Sequence, residues 1–210
     1  MKHPLHCPCL MLVTEPHANL PKIVGEAVSG GVNAVQWRDK VTPESLQRQQ
    51  SEAMRFAVRR PNVLVVNGSL AMMVTAQADG LHLQEGLLVA PEDGFLTELD
   101  GLIGYSVHSV ESARKAAALG ADYVVVGTIY PSQSHPDVVP QGLRILTEVA
   151  SIVDIPAIAI GGITPENVAA CINAGASGVA VLSPIMRATD PCKAAQAYRA
   201  ALDAAWSERR

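Results

Sequence analysis

Three polar side chains at alternate positions, Gln36, Arg38 and Lys40, are the first residues in this chain whose types and spacing could do chemistry. Alternation puts them on one side of an extended segment, and an amide beside two permanent cations suits an anionic substrate. The competing reading is a solvated strand end with surface charges. Nearer the C-terminus, Gly161-Gly162 and Leu182-Ser183 follow two apolar runs, 157–160 and 178–182. Backbone N–H groups bared at the ends of two neighbouring parallel strands would converge on one anion, with a phosphate as the expected ligand. A ligand-free turn softened by glycine is the alternative there.

The run Tyr130-Pro131-Ser132-Gln133-Ser134-His135-Pro136 is long, polar and bounded by prolines. Long loops in compact domains tend to carry function, so Ser132, Ser134 and His135 suit a second phosphate or a carboxylate, with Thr128 opening the same segment. Among the histidines, His135 and His108 are the candidates for moving a proton, because imidazole titrates near neutral pH. His82 ends a strand and fits a hydrogen-bonded core residue as well as a substrate contact. Asn67 ends another.

These residues need strands that stop where they stand. One signature recurs: a helix end, a small residue, a turn residue, then an apolar strand. It appears as Gly31-Val32-Asn33-Ala34-Val35, Gln77-Ala78-Asp79-Gly80-Leu81, Gly120-Ala121-Asp122-Tyr123-Val124 and Gly175-Ala176-Ser177-Gly178-Val179. Turns of one type, roughly 40 to 55 residues apart, indicate a repeating strand-helix unit with parallel strands. Strands are expected at 10–13, 34–37, 63–66, 80–83, 102–106, 123–126, 157–160 and 178–182. Helices are expected at 22–29, 43–59, 70–76, 110–119, 143–153, 165–174 and 191–206, with a short or irregular one in 85–100, where Pro91 and Gly94 interrupt. Thr164 reads as the N-cap of the helix after the seventh strand, Pro165 as its first residue and Gly175 as its close. The expected fold is an α/β (β/α)8 TIM barrel, one domain over residues 1–210, with its chemistry at the strand C-terminal ends. A doubly wound open sheet would carry a glycine-rich loop after its first strand, and Thr14-Glu15-Pro16 is not one.

Composition narrows the partners. The 210 residues carry a net charge of −4, 4% aromatics and no Lys/Arg-rich stripe, which argues against nucleic acid and against a membrane-binding face. A small molecule is expected instead. The four cysteines (Cys7, Cys9, Cys171, Cys192) are scattered without a second ligand pair at zinc spacing, so free thiols in a reducing compartment are expected, with no metal. No signal-peptide core or membrane span is evident, and a cytoplasmic location is expected. A homo-oligomer is compatible with this composition.

With these residues laid out, the chain resembles the thiamine phosphate synthase and TenI family of (β/α)8 barrels over nearly its full length. The resemblance is carried by Gln36-Trp-Arg38-Asp-Lys40, Val66-Asn67-Gly68, Gly80-Leu-His82-Leu, Gly104-Tyr-Ser106-Val-His108-Ser109, Gly127-Thr-Ile-Tyr-Pro131-Ser-Gln-Ser134 and Ile160-Gly-Gly162-Ile-Thr. Their order and spacing are more specific than any one of them. The resemblance implies a phosphorylated thiazole as ligand, with Gly162, Leu182 and Ser183 on its phosphate. It puts Gln36, Arg38, Lys40, Ser106, Ser132 and Ser134 on the pyrophosphate side of the pocket.

Two departures bear on the activity that the resemblance implies. Synthases of this family carry aspartates for magnesium after the third and fourth strands, where this chain has Asn67-Gly68-Ser69 and Gln84-Glu85-Gly86; a lysine of the sixth loop is His135 here. Asn67-Gly68 and Ser106-Val107-His108-Ser109 look like the TenI branch, and together with those departures they imply a metal-free isomerase, a thiazole tautomerase with His135 or His108 carrying the proton. Related tautomerases place a histidine where Thr128 stands. The alternatives are a thiamine phosphate synthase joining hydroxymethylpyrimidine pyrophosphate to thiazole phosphate, which alone would call for magnesium, and a non-catalytic thiazole- or thiamine-phosphate-binding barrel.

Overall fold

The recurring turn signature has a structural job at the base of a closed barrel. In the computed structural model, which describes residues 4–88, 99–132 and 137–209, the turn residue before one strand reaches back to bond an earlier strand. Asn33 Oδ1 accepts from the Leu10 amide at 2.8 Å, Asp79 Oδ2 from Leu64 at 2.9 Å and Asp122 Oδ2 from Ile103 at 2.8 Å. A short side-chain acceptor at three of the four turns therefore satisfies an N–H near the start of an earlier strand, whereas at the fourth Ser177 bonds an earlier strand through its backbone, N to the Ala157 carbonyl at 2.8 Å.

The strands are β1 (Cys9–Val13), β2 (Ala34–Trp37), β3 (Val63–Val66), β4 (Gly80–Leu83), β5 (Leu102–Val107), β6 (Tyr123–Val126), β7 (Ala157–Ile160) and β8 (Gly178–Val181). Each pairs in parallel with the next, and β8 closes on β1. The chain is a (β/α)8 barrel, as its repeats indicate. The helices are α1 (Leu20–Ser29), α2 (Glu44–Ala57), α3 (Leu70–Thr75), α4 (Val110–Ala118), α5 (Gly142–Ala150), α6 (Val168–Asn173), α7 (Ser183–Met186) and α8 (Pro191–Glu208). A 3-10 turn, Glu85–Leu87, follows β4 before residues 89–98, which lie outside the description.

Strand alternation splits the core in two. Leu10, Leu12, Val35, Trp37, Leu64, Ile103, Val124 and Val179 point outward beneath the helices, whereas Met11, Val13, Val63, Val65, Leu102, Tyr123, Val125 and Ile158 fill the barrel. The inward positions become polar toward the strand C-terminal ends, at Gln36, His82 and Ser106. No helix among the described residues is long and apolar enough to cross a membrane.

Two local expectations change. The helix after β7 starts at Val168, not at Pro165, and its N-cap is Asn167 rather than Thr164. The Asn167 side chain explains the delay: its Nδ2 donates to the Gly162 carbonyl at 3.0 Å, and its Oδ1 accepts from the Thr164 amide at 2.9 Å. Those bonds hold residues 164–167 as a turn. Gly175, at φ 104°, ends this helix as expected. The one-turn α7 is new, and it stops β8 at Val181.

Candidate active site

At the C-terminal ends of the strands the barrel opens into a cavity of about 850 Å³. Its wall includes Gln36, Arg38, Lys40, Asn67, Ser106, His108, Thr128, Ser132, Gly161, Gly162, Leu182 and Ser183. Ser134 and His135 lie outside the described residues.

The cationic side is built from β1 and β2. Thr14, fully buried, accepts the Arg38 N–H at 3.0 Å and donates to the Arg38 carbonyl at 3.3 Å. Asp39 Oδ1 accepts the amides of Val41 and Thr42, and Gln47 ties the Asp39 and Thr42 carbonyls together. These bonds fix the backbone from which Arg38 and Lys40 project. Gln36, 4% exposed, sits one step deeper in the same file.

The opposite side is built from the loops after β6, β7 and β8. The carbonyl of Gly161 accepts from Tyr130 N at 2.9 Å, and that of Gly162 from Asn167. Gly161 and Gly162 take φ of 101° and 61°, in the left-handed region. A Cβ on Gly161 would run into Thr128, and one on Gly162 into the Pro131 carbonyl oxygen and Tyr130. The glycines are therefore required first for packing two loops together. Access of a ligand to bare amides, the reason expected from sequence, comes second.

His82 stands below the wall rather than in it. It is 1% exposed, with Nδ1 3.1 Å from Tyr123 Oη and Nε2 2.9 Å from Ser106 Oγ. Burial pulls its pKa down to about 3, so the ring stays neutral and offers no cation to an anionic ligand. Of the two roles left open for it in the sequence, the hydrogen-bonded core residue is the one its burial matches, and its contact toward the cavity runs through Ser106.

One charged wall residue, Arg187, escaped the sequence reading. Arg187, just past α7, makes a two-point ion pair with Glu15, Nε–Oε1 at 2.8 Å and Nη2–Oε2 at 2.9 Å. The hydrogen bond from Arg187 holds the Glu15 carboxyl below the usual carboxylate range. Only an arginine so soon after the eighth strand could have hinted at it. Glu85 and His108 also meet across the β4 and β5 loops, Oε2 to Nδ1 at 2.7 Å. Burial raises the Glu85 carboxyl, but bonds from Ser112 and His108 outweigh it and leave the pKa lowered.

The cavity wall carries one carboxylate among the described residues, Glu85, already engaged by His108. No group of three or more His, Cys, Asp or Glu stands together among the described residues. Magnesium in such pockets is held by one or two carboxylates together with phosphate oxygens, and the one carboxylate among the described residues is already bonded to His108, so the described residues alone are a poor fit to a magnesium site.

Comparison with known proteins agrees with this geometry and corrects the expected activity. A thiamine-phosphate synthase of Haloarcula marismortui is 37% identical over 187 residues, 87% of this chain and 89% of the relative. One of Roseiflexus castenholzii is 40% identical over 181 residues, 85% and 79%. The solved thiamine phosphate pyrophosphorylase of Pyrococcus furiosus superposes with a TM-score of 0.81 at 29% identity, covering 94% of this chain and 96% of its own. These relatives are named as synthases or a pyrophosphorylase, not as isomerases, which overturns the isomerase expected from the loops after β3 and β4. Those departures are substitutions at loop ends, whereas the similarity runs through the whole barrel. The family described as thiamine monophosphate synthase matches residues 10–185, and the chain belongs to it.

Proposed function

We propose that this protein is a transferase of thiamine biosynthesis that joins a pyrimidine methyl diphosphate to a thiazole phosphate. The observation that carries the reading is one cavity lined by two sets of groups that suit anions: Arg38 and Lys40 in one, the Gly161-Gly162 and Leu182-Ser183 backbone in the other. A reaction between two phosphorylated partners needs such a pair. In the chemistry, the C–O bond between the pyrimidine methylene and the diphosphate breaks with its electron pair going to oxygen. The thiazole nitrogen lone pair forms the new C–N bond.

Arg38 and Lys40 would face the charge that develops on the departing diphosphate, and fixed cations aimed at developing charge are an effective form of transition-state stabilisation. Thr14 and Asp39 keep that backbone in place before substrate arrives. Among the described residues the cavity's one carboxylate is engaged by His108, so charge neutralisation falls to the side chains of Arg38 and Lys40. The thiazole, held by its phosphate at the far side, would meet the reactive carbon above Val125, Ile160 and Ala180, apolar residues of the cavity floor that exclude water.

The test is direct. Purified protein supplied with the pyrimidine diphosphate and the thiazole phosphate should release diphosphate and form thiamine phosphate, both followed by chromatography. No product under any ionic condition would favour the binding-only alternative.

A further inference from the structure

A hydrogen-bonded file crosses the barrel interior from β6 to the cavity floor. Tyr123 Oη lies 3.1 Å from His82 Nδ1, and His82 Nε2 lies 2.9 Å from Ser106 Oγ. Three neighbouring strands supply it, with register pairs His82 to Gly104 and Gly104 to Tyr123. Gly104 makes the room: a Cβ there would overlap the Tyr123 ring.

We propose that Tyr123 and His82 are positioning residues that fix the Ser106 hydroxyl as a hydrogen-bond donor toward an oxygen of the bound diphosphate. The identity of that ligand rests on the synthase reading; the polarity of the file does not.

Polarity follows from satisfying every buried proton. The tyrosine is fully buried and the histidine 1% exposed. Burial keeps the imidazole neutral, so one ring nitrogen carries a proton and the other a lone pair. Burial also raises the Tyr123 phenol, which keeps its proton. That phenol has His82 as its one hydrogen-bond partner among the described residues. Were Nδ1 protonated, the phenol would accept from it and its own proton would be buried with no acceptor, an arrangement proteins avoid. The phenol must donate to Nδ1. Nε2–H then donates to Ser106 Oγ, and the serine proton is left to point into the cavity, whose wall Ser106 lines. A serine held this way has one acceptor lone pair taken by the imidazole and offers its proton to a phosphate oxygen. The direction of that proton is thus set by residues that touch no ligand.

Nitrogen-15 NMR of the His82 ring in the unligated wild-type protein reads the polarity: a protonated Nε2 and a bare Nδ1 are expected, unchanged between about pH 5 and 8. Binding of inorganic pyrophosphate, measured by calorimetry, should weaken about tenfold in Ser106→Ala and by a similar factor in Tyr123→Phe. The double variant should bind no worse than Ser106→Ala, because both changes remove one interaction. A proton on Nδ1 would overturn the proposal, as would losses that add. Pyrophosphate that failed to bind the wild-type protein would overturn the assignment of its ligand. If Tyr123→Phe does not fold, the wild-type nitrogen shifts still decide. A wild-type protein that shows the expected tautomer yet couples no substrates would defeat the synthase reading alone.

Discussion

His108 is held by Glu85 at two points: its Nδ1 lies 2.7 Å from Oε2, and its peptide N–H donates to Oε1 at 3.2 Å. One carboxylate thereby fixes both the backbone and the ring of the histidine across two loops. The other ring nitrogen, Nε2, is left to serve the cavity, and Glu85 is occupied.

If Glu85 acts only through His108, then His108→Ala should lower kcat/KM for the pyrimidine diphosphate by about 10- to 100-fold, the loss of one charge-assisted hydrogen bond. Glu85→Gln, which keeps the ring but orients it less firmly, should cost about tenfold or less on the same basis. The double variant should match His108→Ala. Steady-state kinetics of the three proteins would refute this arrangement if Glu85→Gln proved the most damaging.

His82 makes a pH prediction. Its folded pKa of about 3 lies below the value of about 6.5 for an unfolded histidine, so unfolding takes up a proton in between. Stability is complete above the unfolded value and falls as the pH drops toward the folded one, at up to about 1.4 kcal/mol per pH unit. Glu15 and Glu85, with lowered pKa values, withdraw their contributions as the pH falls through the usual carboxylate range and below it. Urea unfolding between about pH 6.5 and 4.5 should therefore show a slope that His82→Gln removes. An unchanged slope in the variant would place the proton uptake elsewhere.

Much of the barrel was legible because each level of the chain repeats itself. The apolar runs fell on the eight strands, and the recurring Asn33, Asp79 and Asp122 marked turns whose side chains bond earlier strands. What could not be read depended on closure. Tyr123, His82 and Ser106 lie far apart in sequence, and only the pairing of β4, β5 and β6 brings them into line. Thr164-Pro165 carries every local mark of a helix start, yet Asn167 bonds back to Gly162 and delays it by a turn. The four-residue α7 is too short to leave a periodic pattern. The activity was misjudged because Gly68 and Gly86 were weighed above a likeness distributed through the whole chain.

The base of the barrel should be the costliest place to cut. Asp79 is 7% exposed and takes hydrogen bonds from the Leu64 amide, Arg55 at 2.8 Å and Arg60 at 3.3 Å. Arg55 is itself mostly buried and would be left without its carboxylate, so Asp79→Ala should lose about 3–5 kcal/mol. Asp79→Asn, which can still accept from Leu64, should lose less. Denaturant midpoints decide, and an Asp79→Ala loss below about 1 kcal/mol would mean the turn residues are not the staples described here.

The final prediction concerns the divalent ion. Magnesium ordinarily supplies several kcal/mol of stabilisation to a departing diphosphate. Here the cavity offers Glu85 as its one described carboxylate, already bonded to His108, while Arg38 and Lys40 stand on the same wall. Coupling by the wild-type protein should then survive EDTA with a loss below about tenfold, a small part of what an obligatory ion contributes. The positions for a metal site remain available, because a Cβ on Gly68 or Gly86 meets nothing within 4 Å. Gly68→Asp with Gly86→Asp should fold normally, bind magnesium measurably by calorimetry in the presence of inorganic pyrophosphate, and make coupling depend on the ion. A wild-type rate that collapses in EDTA and returns with magnesium would show that the diphosphate brings the ion with it and that Glu85 serves as its ligand. In that case Glu85→Gln, rather than His108→Ala, would be the variant that abolishes turnover.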